Sequence, residues 1–94
     1  MNVIVRNVAD VPNKNVKLLK WKLHNLAEKF KDLLYLEAFI KKEGNTPVVF
    51  QLKLRLGLPG YDSIITKKSE VLNEAILALD ETAHVQLAQK KNKF

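Results

Sequence analysis

The sequence contains no cysteine. Disulfides, thiolate nucleophiles and thiolate metal sites are therefore excluded. Its three glycines are too few for a glycine-rich phosphate loop, and no Walker pattern occurs. The two histidines, His24 and His84, are far apart, and neither is read as having a carboxylate at ligand spacing. No metal and no other cofactor is expected. Asp80 and Glu81 are adjacent, so on a helix they point apart and make a poor acid–base pair. His84 falls among acids and is expected to be a surface residue. With no Ser-His-Asp arrangement either, neither an enzyme nor a small-molecule substrate is expected. No apolar run approaches the roughly 18 residues of a membrane helix. The opening residues MNVIVRNV are too short and mixed for a signal peptide. The expectation is a cytoplasmic protein that does not engage a membrane. Repeats and low-complexity tracts are absent, and 94 residues predict one domain over 1–94 with a modest core.

What is abundant is positive charge. Sixteen Lys and Arg face ten Asp and Glu, a net +6. Such a balance favours an anionic partner: nucleic acid, anionic membrane or acidic protein. The charge is also segregated. Residues 12–31 carry six Lys against one Glu, a local +5. Residues 69–82 carry four acids and no base, and Lys90, Lys91 and Lys93 close the chain.

Six elements are predicted. Val3 to Val8 reads as a strand. Asp10-Val11-Pro12-Asn13 is a turn with proline at a helix start. Val16, Leu19, Leu23, Leu26, Phe30 and Leu33 recur at helical spacing, so a helix runs to about Lys31 or Leu33. Leu34 to Lys41 alternates as a second strand, and the cluster from Glu43 to Pro47 is a turn. Val48 to Leu56 alternates most clearly, Pro59-Gly60 is a turn, and Ser63 to Lys68 is a fourth strand. Ser69 is the expected N-cap of a second helix, with Glu70 and Glu74 near its positive end and Leu72, Ile76, Leu79, Ala83 and Leu87 as its stripe. Each helix has one apolar stripe and each strand one apolar face. The predicted fold is therefore α+β, in the order β-α-β-β-β-α. It is a four-stranded mixed sheet with both helices packed on one face. The first two strands can pair in parallel through the crossover helix, and the later hairpins are antiparallel.

Lys17, Lys20, His24 and Lys31 fall within a window of about 60° on one flank of the first apolar stripe. Such an array can neutralise successive phosphates of a nucleic acid. A merely solvated helix face is the competing reading. Trp21 lies just beyond that flank and is expected to close the edge of the core, with stacking on a base as the alternative. The C-terminal lysines suit the negative end of the second helix and could also reach phosphate. The open sheet face would offer Tyr35, Phe39, Lys41, Lys53 and Arg55, interrupted by Glu37. It lacks the signatures of RNA-recognition sheets and reads as solvent-facing.

Pro59-Gly60, the strand Ser63 to Lys68, Glu70, Ala75-Ile76, Ala83, Gln86-Leu87 and then Lys91 and Lys93 stand in an order and spacing that resemble the ribosome hibernation promoting factors. That family is also called sigma-54 modulation or ribosome-associated inhibitor proteins. Val71, Asn73, Leu77 and Gln89 depart from its pattern. The resemblance implies a fold like a double-stranded-RNA-binding domain with an added first strand. It further implies a short-form translation inhibitor that binds rRNA of the small ribosomal subunit in the mRNA and tRNA channel under stress; the protein itself is expected to be a monomer. Lys17, Lys20, His24, Lys31, Lys67, Lys68, Lys91 and Lys93 are the candidate RNA contacts. The alternative is a protein-interaction module touching the transcription machinery, which would show an exposed apolar patch instead.

Overall fold

The structure is a computed structural model that describes residues 2–6 and 11–91, with side chains through residue 89. The strands are β1 (Asn2–Arg6), β2 (Tyr35–Glu43), β3 (Val49–Leu58) and β4 (Tyr61–Ser69). The helices are α1 (Asn13–Lys29), between β1 and β2, and α2 (Leu72–Lys91), after β4. The sheet order is β1-β2-β3-β4, with β1 parallel to β2 and the other two pairs antiparallel. The predicted α+β layout is the observed one.

Alternation within the strands decides which face is covered. Val3 pairs with Leu36 and Leu36 with Leu56; Ala38 pairs with Leu54 and Leu54 with Ile65. These side chains share one face and meet Leu19, Leu23 and Leu26 of α1 and Leu72, Ile76, Leu79 and Ala83 of α2. Full burial of each such aliphatic side chain contributes about 1.5–3 kcal/mol. α1 packs over β1 and β2, and α2 over β3 and β4. The opposite sheet face carries no helix.

Several boundaries differ from expectation. α1 stops at Lys29, because Phe30 turns extended (φ −116°, ψ 95°) while its N–H still donates to the Leu26 carbonyl at 3.0 Å. The chain must drop into the sheet layer here, where the Leu34 N–H donates to the Gly57 carbonyl at 2.8 Å. Phe30 and Leu33 are buried from this connection rather than from a helical stripe. Pairing carries β3 and β4 to the edge of their turn, where Leu58 faces Tyr61 and Gly60 takes a positive φ of 88° between them. Pro12 caps α1 rather than opening it. Ser69 does not cap α2 directly. Val71 does, its carbonyl accepting from the Ala75 N–H at 3.2 Å, while the Ser69 hydroxyl oxygen accepts from the Val71 N–H at 3.1 Å. Asn7 and Val8, predicted to extend β1, lie outside the described residues.

Candidate nucleic-acid interface

The register of α1 against α2 fixes where the basic flank points. Asn15 donates to Asn73, Lys22 Nζ lies 4.0 Å from Asp80 Oδ2, and Phe30 meets His84 edge-on with ring centroids 5.8 Å apart. The two helices therefore run parallel, and Asn15 and Lys22 mark the side of α1 that faces α2. Lys17, Lys20 and His24 occupy the other flank, about 140° or more around the axis from Lys22. They stand on the side of the uncovered edge of β1 and point to solvent.

Lys14, Lys17, Lys20, His24 and Lys31 are exposed and have no ion-pair partner among the described residues. The first turn of α1 holds no acid and no side chain caps it. Lys14 thus sits in the first turn, at the positive end of the helix dipole, where a cation is disfavoured by a few tenths to about 1 kcal/mol. α2 follows the opposite pattern, with Glu74 in its first turn.

Lys31 lies beyond the end of α1, so helical spacing does not hold it in register with Lys17, Lys20 and His24. Lys67 and Lys68 are neighbours on a strand and take opposite faces. Lys67 pairs with core-facing Leu52 and is half-buried on the helix side; Lys68 pairs with Gln51 on the bare face and reaches Glu43 at 3.4 Å. Neither lies beside the α1 flank, since β4 is the far edge of the sheet. Lys91 ends α2, with its side chain outside the described residues, and Lys93 lies outside them altogether. The expected merging of the α2 lysines with the α1 flank is not what the packing favours, because α2 sits across α1 from that flank.

The bare sheet face is largely self-neutralised. Arg55 Nη2 meets Asp62 Oδ2 at 2.7 Å and its Nη1 lies 4.0 Å from Glu37 Oε1, while Arg6 Nε donates to Glu37 Oε2 at 2.7 Å. The Arg55 guanidinium stands 5.9 Å from the Tyr35 ring centroid. A hydrogen bond from the Tyr35 hydroxyl, and then the Arg55 guanidinium, hold the Asp62 carboxyl below the ordinary carboxylate range. The same bond to Asp62 raises the Tyr35 phenol. Glu37 does more than interrupt the face: it bridges two arginines. This network was not visible in the sequence, because only the strand register brings Tyr35, Gly57 and Asp62 into one row. Lys53 is exposed without an ion-pair partner among the described residues and lines a shallow depression with Phe39, Lys41 and Gln51.

Two further expectations need correction. Trp21 does not close the core edge. It is 59% exposed, because it projects from the outward ridge of α1, and Lys22 Nζ lies 5.2 Å from its ring centroid. His84 is half-buried between the helices rather than a surface residue. It does have a carboxylate one turn before it, Asp80 Oδ1 at 3.4 Å from Nδ1. Of the four departures from the resembled pattern, Asn73 joins the helices, Val71 and Leu77 are each 50% exposed, and Gln89 is exposed.

No protein-family model matches the chain, and no curated protein matches it in sequence. Solved structures do. A ribosomal subunit interface protein from Coxiella burnetii is similar at a TM-score of 0.79 and 16% identity, over 98% of this chain and 99% of that one. The N-terminal domain of Protein Y from Thermus thermophilus is similar at a TM-score of 0.71 and 17% identity, over 94% of this chain and 93% of that one. The likeness is in fold, end to end, and the fold it shows is the one the sequence resemblance implied.

Proposed function

We propose that this chain is a ribosome-associated translation inhibitor of the hibernation-factor type. It binds rRNA of the small subunit in the mRNA and tRNA channel, in the cytoplasm, under stress or stationary conditions. It acts as a monomer, by occupancy rather than catalysis. One observation carries the reading. Among the described residues the exposed lysines of the α1 flank have no ion-pair partner, while the arginines of the bare sheet are paired. Anionic phosphate along Lys17, Lys20 and His24 would supply the missing counter-charge. Lys31 extends the contact past the end of α1. Lys67, Lys68, Lys91 and Lys93 are secondary, on the placements given above. The fold shared with a ribosomal subunit interface protein and with Protein Y supports the same reading.

The test is co-sedimentation with purified small subunits at rising salt. If Z phosphates are neutralised, log K should fall against log salt with a slope of about −0.7 Z to −0.9 Z. A flat response would favour the second reading, a protein-interaction module. That reading has its own observation: Leu77 and Val85 are about half exposed on the outward face of α2, beside exposed Glu74 and Glu81.

A further inference from the structure

Trp21 is the one tryptophan of the chain, and it stands on the same outward ridge as the unpaired cations. Lys17 is one turn before it and His24 three residues after it, so both are its neighbours on the helix surface. Lys14 and Lys20 lie within about 100° of it around the axis. The acid of that ridge, Glu28, is two turns further on. The Lys22 ammonium stands 5.2 Å from the Trp21 ring centroid. An exposed indole with a cation on it and phosphate-binding cations a turn away has the parts of a stacking platform. Phosphates are held by the lysines, and a base lies on the ring. A continuous duplex cannot use it, because its bases are already stacked on each other.

Building on the RNA-binding reading, we infer that Trp21 receives an unstacked base, so the α1 surface takes single-stranded or junction RNA in preference to uninterrupted duplex. The ammonium of Lys22 is held near the indole by Asp80 of α2, at 4.0 Å. The platform is thereby oriented by the helix–helix contact. An apolar protein surface is the rival occupant. It would be satisfied by any large aliphatic side chain, whereas a base needs an aromatic ring.

The lone tryptophan makes the test direct. The full chain is titrated with a labelled single-stranded RNA of about ten nucleotides and with the same sequence as a duplex. RNA anisotropy and Trp21 emission are followed together. Stacking predicts quenching by the single strand and little by the duplex. Trp21→Leu should weaken single-strand binding by about five- to a hundred-fold, and Trp21→Phe should keep most of it. Duplex binding should be unchanged in both. Trp21 is exposed, so circular dichroism should show intact folding. If the single strand binds but emission is unchanged and Trp21→Leu binds at parental strength, the platform is wrong and the basic flank stands. If Trp21→Leu binds small subunits as well as the parent and Trp21→Phe binds worse, the contact is with an apolar protein surface, and the inference falls. If neither RNA binds at low salt, the inference and the RNA-binding reading fall together.

Discussion

Tyr35 lies directly across from Gly57 in the β2–β3 ladder, and its ring fills the space that a side chain at Gly57 would need. The glycine is buried and not in a turn, so its role is to leave room for the Tyr35 ring beside it. Gly57→Ala should push the ring away and destabilise the fold by about 1–3 kcal/mol, as overpacking does. Urea denaturation measures this. In a Tyr35→Ala background the same substitution should cost much less, and equal losses in both backgrounds would show that the ring is not what the alanine meets.

The Asp62 carboxyl also gives the protein a pH signature. Its folded value is depressed, chiefly by the Tyr35 hydroxyl and then by Arg55. Its contribution to stability is therefore complete above the ordinary value of about 4. It is lost as pH falls through the lower folded value. Tyr35 is raised by the same bond. Its contribution is complete below about pH 10 and lost as pH rises through the folded value. Asp62→Asn should flatten stability on both the acid and the alkaline limb. Urea midpoints across the two ranges, for parent and variant, provide the comparison.

Charge reversal separates the two surfaces. Lys17→Glu with Lys20→Glu should abolish co-sedimentation with small subunits and leave folding intact, since both side chains are exposed off the apolar stripe. Arg55 makes a poor control because it holds two carboxylates. Lys53→Glu is the better one, and it should weaken binding less. Loss of the Lys53 variant from the pellet with retention of the α1 variant would move the site to the bare sheet.

Asn15 is the buried polar residue of the described core, at 8% exposure, and it donates to Asn73. Asn15→Ala should cost about 0.5–1.5 kcal/mol, the net worth of such a bond. Thermal or urea unfolding would register it, and RNA binding by the opposite flank should be unaffected.

Much of this was legible beforehand. The spacing from Val16 to Leu26 and the alternation from Leu52 to Leu56 name core side chains, because helix and strand periods leave little choice about which face is buried, whereas Val48, expected on the same face, precedes β3 and is exposed. Helix ends were less legible. Phe30 and Leu33 continue the apolar rhythm of α1, yet they are buried by a descending connection, which local spacing cannot distinguish from another helical turn. The basic flank was visible from angle alone. Its relation to α2 was not, because Lys22 and Asp80 become neighbours only when the helices pack. Trp21 sits off the stripe and could have been read as exposed, had its angular position been weighed above the usual burial of tryptophan.

β1 is five residues long, half-exposed, and bonded on one side only, while β2 and β3 are each paired along both edges. Cooperativity is therefore graded across the sheet. The β2–β3–β4 meander is stitched by hairpins between sequence neighbours, whereas β1 must close a loop around all of α1 before it can pair. Local opening should begin there, with the backbone amides of β1 exchanging with solvent ahead of those in β3. The strand that yields first is the one flanking the basic face of α1, so an occupant of that face would also slow the fraying of this edge.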